Sequence, residues 1–363
     1  MRKMLFFSMA ALMLLTFGCV PKSGKNKPEK KVLSKNIEYD VTINNFVKIS
    51  QSSPEESHWV WSDENIEASS RCAFLDLLFK KALSGKLKLT DMNNKSIDTN
   101  KLKDLLSFTD TLTMTRLTPP YNSYDTVVKR TIQASSVTGL RFRENWSYDP
   151  KTMAFSKKVI AMAPLSSKVG YDDDGNLTFS ERKALFWIVF PEKTKPDVVL
   201  TKRIISNVIY HPTDFSEDIN VDSLAMDGYI NKIMDKAYSD SINAYQYSDE
   251  SGMWNVPLSG KDLKDRWCSI DTITYSTPQH KHGSYDTIIK HDVLISMIRF
   301  LEEWTFDPET MAIDKKVVGI CPVTICYDDA GEAKGFKPLF WVYFSDVWMP
   351  FGGKLELKEA EKK

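Results

Sequence analysis

The sequence predicts an α+β fold made of two tandem similar domains, each an antiparallel sheet with N-terminal helices packed to one side. Three observations carry that expectation: a domain-length motif occurs twice, helical spacing precedes each occurrence, and strand alternation within it is broken by Asp-Pro turns. Arg141-Phe142, Glu144, Trp146, Asp149-Pro150, Thr152-Met153-Ala154, Lys157-Lys158-Val159 and Pro164 return as Arg299-Phe300, Glu302, Trp304, Asp307-Pro308, Thr310-Met311-Ala312, Lys315-Lys316-Val317 and Pro322. Upstream, Asp110-Thr111 and Ser123-Tyr124-Asp125-Thr126 return as Asp271-Thr272 and Ser284-Tyr285-Asp286-Thr287. Downstream, Tyr171-Asp172-Asp173 and Leu185-Phe186-Trp187 return as Tyr327-Asp328-Asp329 and Leu339-Phe340-Trp341. The period, roughly 155–160 residues, is far longer than a solenoid repeat and about one domain long. Trp146, Asp149, Pro150 and Trp187, with Trp304, Asp307, Pro308 and Trp341, therefore define the repeat through packing and turn chemistry.

The chain opens on a secretory signal. Arg2 and Lys3 precede an apolar core from Leu5 to Phe17, too short to span a membrane. Cys19, directly after Gly18, resembles the lipidated cysteine of a bacterial lipobox, which makes residues 1–19 a lipoprotein-type signal peptide. Leu15 lies four positions before Cys19 and Thr16 fills the usual leucine slot, so an ordinary signal with an incidental cysteine stays open. Residues 20–36 are Lys-rich and interrupted by Pro21, Gly24 and Pro28. They predict a flexible tether reaching about 20–25 Å. No acidic run of the kind that resembles a surface-export signal follows Cys19, so the expected location is the periplasmic face of the outer membrane. The first and second domains are then residues 37–197 and 198–363, and about 325 residues suffice for two cores.

The 48 basic and 48 acidic residues balance, with no basic block outside the tether, which argues against nucleic acid as a partner. Cys72, Cys268, Cys321 and Cys326 have no cysteine at the matching position of the other copy, so no common disulfide framework holds the unit. Cys321 and Cys326 read either as a local bridge or as two buried thiols flanking a strand end.

Each copy is expected to begin with an amphipathic helix. Leu75, Leu78, Phe79 and Ala82 follow helical spacing with Gly85 as a stop, and Ile230, Ile233, Met234 and Ala237 repeat it. Short helices follow near 100–107 and 260–267. The centre of each unit is a hairpin. Phe142, Trp146 and Tyr148 share one face, Arg141, Arg143, Asn145 and Ser147 the other, and Asp149-Pro150-Lys151-Thr152 suits a type I turn. Adjacent apolar residues Val159 to Met162, and Val317 to Ile320, predict return strands buried on both faces. Further turns fall at Asp173-Asp174-Gly175 and Asp329-Ala330-Gly331, and the aromatic runs Leu185 to Phe190 and Leu339 to Phe344 close each unit as buried strands.

No pattern in the chain specifies catalysis, a cofactor or a metal. Asp172 to Asp174 fail the calcium-loop spacing, because a Gly at the sixth position puts Gly170 at the first. His280-Lys281-His282 lacks a nearby carboxylate or thiol. Adjacent Glu302 and Glu303 point to opposite faces of a strand. Glu144 and Glu302 recur on the tryptophan face, which suggests a buried ion pair or backbone bond; a hydrolase built on them is the third-ranked alternative. Asp110-Thr111-Leu112 and Asp222-Ser223-Leu224 resemble O-glycosylation triplets of Bacteroidetes-type bacteria. The recurring aromatics, Tyr124 and Tyr285 among them, are expected in the core. Trp59 and Trp61, outside any periodicity, are the candidates for an exposed partner contact.

Leu106-Ser107-Phe108-Thr109-Asp110-Thr111, Glu144-x-Trp146-x-Tyr148-Asp149, Val159 to Pro164 and Ala184 to Glu192 together resemble the GldN/PorN family of gliding motility and type IX secretion. The resemblance covers roughly residues 66–195 and 222–346. It implies a non-enzymatic periplasmic protein that assembles with a GldK/PorK-like lipoprotein into large rings beneath the outer membrane and contacts a GldM/PorM-like motor component. This chain differs in carrying two such units and a lipid-anchor signal, so the anchor is expected to replace or supplement attachment through the partner lipoprotein. Homo-oligomerisation is compatible with a duplicated binding unit. The alternative function is a cell-envelope lipoprotein that recognises glycan or peptide through exposed aromatics.

Overall fold

Ile37, Tyr39, Val41 and Ile43 are buried and alternate with Glu38, Asp40 and Thr42, and this period of two makes a strand of Lys31–Thr42, β1. The computed structural model describes residues 30–43, 66–166, 169–171, 177–179, 182–211, 221–248, 253–276, 284–292, 294–327, 333–348 and 354–355. After β1 come α1 (Ala68–Leu83), β2 (Leu89–Thr90), α2 (Thr99–Leu106), β3 (Ser107–Thr115), β4 (Ser123–Thr131), β5 (Val137–Tyr148), β6 (Phe155–Ser166), β7 (Val169–Tyr171), β8 (Leu177–Phe179), β9 (Lys183–Ala184) and β10 (Trp187–Val189). The second copy runs β11 (Val198–Ile209), α3 (Ser223–Tyr238), β12 (Ala244–Ser248), β13 (Met253–Leu258), α4 (Gly260–Trp267), β14 (Cys268–Ser276), β15 (Ser284–Asp292), β16 (Ile295–Phe306), β17 (Ile313–Tyr327), β18 (Ala333–Pro338) and β19 (Val342–Tyr343). Short strands β20 (Val347–Trp348) and β21 (Lys354–Leu355) follow.

The helices form where the spacing predicts. Leu75, Leu78, Phe79 and Ala82 are buried in α1, as are Ile230, Ile233, Met234 and Ala237 in α3. Both helices stop at a residue with positive φ, Gly85 in the first copy and Asp240 in the second. Asp98 caps α2 by accepting the Lys101 N–H at 2.8 Å. Ser259 and Asp262 cap α4 reciprocally, each accepting the other's backbone N–H at 3.1 Å.

Each copy begins with a strand, not with the expected helix. The tether expected to end at Asn36 also gives way earlier, because Lys31 to Asn36 already belong to β1, paired with β5. Composition hid this stretch: its lysines project outward while Leu33 and Ile37 are buried.

The main path of the sheet runs β1-β5-β6-β17-β16-β11, antiparallel throughout. The first three strands come from one copy and the last three from the other, in mirrored order, and the copies join at Lys157 opposite Lys315. Even the irregularities repeat. Register shifts at Val32/Ser34 and Ser34/Ile37 in β1 recur at Val199/Thr201 and Thr201/Ile204 in β11. The sheet curls so that β1 and β11 approach one another.

The two copies are therefore not separate domains. Residues 31–363 form one unit, and each copy's helix packs against the other copy's first strand, α1 on β11 and α3 on β1. Phe74 of α1 meets Phe306 of β16 with ring centroids 5.1 Å apart, and Tyr229 of α3 meets Tyr148 of β5 at 4.9 Å. Lys81 bonds Glu309 at 3.1 Å, and the Tyr229 hydroxyl donates to the Met153 carbonyl at 2.9 Å. β6 and β17 are buried on both faces from Ala161 to Leu165 and from Val317 to Val323, and there each pairs with short strands of its own copy, β9 and β10 or β18 and β19. The part that meets the other copy lies around Lys157 and Lys315, whose buried ammonium groups find their carboxylates across the join.

The Asp-Pro turns are wider than a type I turn. Met153 donates its N–H to the Asp149 carbonyl at 2.8 Å and takes φ of 61°, and Met311 does the same to Asp307 with φ of 57°. Both methionine side chains are fully buried, which holds a non-glycine residue in the left-handed region. The Asp carboxylates still cap, accepting the Lys151 and Glu309 N–H groups at 2.8 Å. Cys321 is a free buried thiol. Cys326 lies five residues further along the same extended strand, about 17 Å away, beyond the ~7 Å Cα separation a disulfide tolerates.

Candidate functional site

Strand alternation aims Phe142, Glu144 and Trp146 of β5 at the same interior as Phe300, Glu302 and Trp304 of β16. Trp146 pairs across the hairpin with Lys157, and Trp304 with Lys315, so a lysine from each return strand enters that interior too. The charges pair across the copies. Lys157 Nζ lies 2.5 Å from Glu302 Oε1, and Lys315 Nζ lies 2.7 Å from Glu144 Oε1, with all four side chains fully buried. Each carboxylate also accepts an indole N–H, Glu144 from Trp146 at 2.8 Å and Glu302 from Trp304 at 2.7 Å. The ammonium groups rest on aromatic faces, Lys157 at 3.4 Å from the Phe300 ring centre and Lys315 at 3.1 Å from that of Phe142.

Tyr39 lies between the two lysines. Its hydroxyl accepts from Lys157 Nζ at 3.0 Å and Lys315 Nζ at 3.1 Å and donates to Glu144 Oε2 at 3.0 Å. The register makes Ser206 its counterpart, since Tyr39 pairs with Phe142 and Ser206 with Phe300. Burial pushes the Tyr39 phenol well above its usual range, with the Glu144 and Glu302 charges adding to the rise. Burial also disfavours ionised Glu144, but the Lys315 and Lys157 charges and the bonds from Lys315 and Trp146 outweigh it and hold the carboxyl below its usual range. Lys315 is pushed down to about 8 by burial, against the pull of Glu144 and Glu302. Carboxylates sealed in this way reach no substrate; the centre's work is to join two copies.

The accessible feature lies elsewhere. β3 and β4 form a two-stranded ribbon paired from Ser107–Thr131 to Thr115–Ser123. Directly opposed residues share a face, so Phe108, Leu112, Met114, Tyr124 and Val128 line one side, while Thr109, Thr111, Thr113 and Thr115 line the other. Met114 and Tyr124 are 48% and 44% exposed, and Leu117 at the tip is 94% exposed. β14 and β15 pair in the same antiparallel manner from Cys268–Asp292 to Ser276–Ser284, and the sequence carries Ile273, Tyr275, Tyr285 and Ile289 at the positions that match Leu112, Met114, Tyr124 and Val128. A two-stranded ribbon is marginal in water, so the exposed apolar residues of β3–β4 make it the accessible candidate for a contact surface.

Trp146 and Trp304 lie at the ionic centre, and Trp187 and Trp341 are buried on the outer face of the sheet. Asp149-Pro150 and Asp307-Pro308 sit in the wide hairpin loops. Tyr124, expected in the core, is instead on the exposed ribbon face. Asp222 of the Asp-Ser-Leu triplet caps α3 by accepting the Ala225 N–H at 2.9 Å. Cys19, Trp59, Trp61, the Asp172–Asp174 turn and His280-Lys281-His282 lie outside the described residues. Tyr39, Lys157, Lys315 and Ser206 were not singled out from the sequence. The recurring Lys157-Lys158 beside a doubly buried strand is the signal that could have found the lysines; nothing local marks the other two. Among the described residues no helix is long and apolar enough to cross a membrane, and no group of three metal-ligating side chains is present.

A family model described as gliding motility associated protein GldN matches residues 35–229 and 202–349, once over each copy. The first match extends through β11 into α3. No curated protein matches the chain.

Proposed function

Because the chain belongs to the GldN family, which associates it with gliding motility and type IX secretion, we propose that it is a non-enzymatic, lipid-anchored periplasmic component of that machinery, acting by protein–protein assembly. The observation that supports this reading is the apolar stripe of Leu112, Met114, Tyr124 and Val128 on the β3–β4 ribbon, with Ile273, Tyr275, Tyr285 and Ile289 at the matching positions of the second copy's sequence. Two linked copies of one contact raise effective concentration at a repetitive partner without new chemistry. A GldK/PorK-like lipoprotein and a GldM/PorM-like motor component are the partners this reading names. Trp59 and Trp61 are offered as an additional contact, and lipidated Cys19 as the link to the outer membrane. The recurring Glu144 and Glu302 speak against catalysis, because burial and pairing consume both.

Crosslinking in native membranes followed by affinity capture tests the reading. The two partners are expected to copurify with the wild type and to be lost when Leu112, Tyr124, Ile273 and Tyr285 are changed together to serine. Capture of a glycan-uptake or peptide-binding complex instead would replace the secretion reading with the envelope-binding one. Release from outer-membrane vesicles by salt alone would remove the lipid anchor.

A further inference from the structure

The ionic network that joins the two halves is pseudo-symmetric except at one position. Strand order, bulges, the exchanged Lys–Glu pairs and the exchanged aromatic contacts Phe142–Trp304 and Trp146–Phe300 (5.1 and 5.3 Å) all obey the two-fold relation. Symmetry of this kind normally lets a half pair with its own copy as readily as with its neighbour. Tyr39 opposite Ser206 breaks it.

We propose that the contact between the halves is a heterotypic recognition surface, in which Tyr39 of the first half and Ser206 of the second make each half accept the other and refuse its own copy. The Tyr39 hydroxyl spans the interior to both ammonium groups, and buried Ser206 holds the matching register position in the other half. A first half pairing with itself would bring a second tyrosine to the Ser206 position, where the first phenol already fills the space. A second half pairing with itself would put serine on both sides, leaving two buried lysines without the oxygen they share and a hole where the ring belongs. Both arrangements fail inside a close-packed, low-dielectric centre, where a missing or doubled polar group is costly. The partner this surface fits is therefore the opposite half, of the same chain or of a second copy. The inference does not depend on the secretion reading.

The test uses the full chain with a protease site at exposed Glu192-Lys193, between β10 and β11. The folded protein is cut, and native mass spectrometry counts which pieces stay together, before and after unfolding and refolding in urea. One-to-one particles of unlike pieces are expected in both states. Pieces that separate on cutting, or wild-type refolding that yields pairs of first halves, would overturn the proposal. Tyr39→Ser is expected to raise first-half pairs at least about tenfold, and no rise in a folded variant would count against it. Tyr39→Phe keeps the ring and is expected to keep unlike pairing alone; like pairs there would overturn the steric argument. Ser206→Tyr is expected to break the unlike pair. The double exchange Tyr39→Ser/Ser206→Tyr brings the phenol in from the other side and is expected to restore it. If Tyr39→Ser does not fold, the double exchange decides: pairing no better than with Ser206→Tyr alone would sink the idea.

Discussion

On the outer face of the first copy, Arg141 forms a bidentate pair with Asp40 at 2.6 and 3.0 Å, and Arg143 bonds Glu38 at 2.7 Å. The Arg143 guanidinium also covers the Trp187 ring at 4.5 Å. At the same register positions the second copy carries Asn207 opposite Arg299, and Ile205 opposite Leu301. There Leu301, Trp341, Tyr343, Tyr245 and Met297 form an apolar cluster of their own. The inner faces differ far less, with Phe142, Glu144 and Trp146 matched by Phe300, Glu302 and Trp304. The difference follows from who must be satisfied. An inner residue contacts both copies at once, so a change needs an answer across the two-fold relation; an outer residue answers only to neighbours in its own copy. Where outer packing is tight, the answer is local: Ala161 opposite Val189 becomes Gly319 opposite Tyr343.

The strongest way to break this contrast is at the inner centre. Lys315→Met leaves Glu144 buried with one fewer ammonium, and urea denaturation is expected to show a loss of about 3–5 kcal/mol. Adding Glu144→Leu removes the orphan charge and is expected to recover a large part of that loss. Two independent losses that simply add would mean the pair is not coupled.

pH sharpens the comparison next. Glu144 titrates below its ordinary value of 4.5 in the folded chain, so its contribution is complete above that value and disappears as pH falls through the lower, folded one. Lys315 has the opposite history, folded near 8 against an ordinary 10.5. Between those values the unfolded chain holds a proton that the folded chain has released, so this group makes stability rise with pH. The stability gap between wild type and Lys315→Met is therefore expected to widen in the wild type's favour from pH 8 to 10.5. A flat gap would contradict the assignment.

Outer-face changes should matter less and stay local. A β-carbon on Gly319 would sit 2.6 Å from Tyr343 Cδ1, so Gly319→Ala is expected to cost about 1–3 kcal/mol. Tyr343→Val in the same chain copies the first copy's Ala161–Val189 arrangement and should relieve the clash, which a melting series would read. The smallest effect is expected from Glu38→Ile with Arg143→Leu, which gives the first copy the second copy's pair. These side chains are partly exposed, 41% and 20%, and the exchange should shift stability by no more than about 1 kcal/mol.

Much of this architecture was legible because its signals are local. The helix spacing of α1 and α3, the alternation in β5 and the Asp-capped turns are each written within a dozen residues, and the structure follows them. The start of β1 is not legible, because the exposed lysines between Lys31 and Asn36 read as linker, and helical spacing marks the start of each copy although a strand precedes it. Glu144 and Glu302 were recognisable as buried structural acids, but their partners were not: each binds a lysine of the other copy, far away in sequence. The β3–β4 ribbon is half-legible. Its apolar residues alternate along the strands, yet alternation cannot say whether that face meets a core, and Tyr124, which the sequence places in one, is exposed.

The amino-acid order alone established that one unit was written twice, with its helices, hairpins and turn chemistry, since those depend on neighbours along the chain. Only the tertiary structure decided that the two units share a sheet, trade helices and neutralise one another's buried charges. Which edge strand meets which, and whether one phenol serves two lysines, are set by contacts between residues more than a hundred positions apart, and no local pattern encodes the choice of partner.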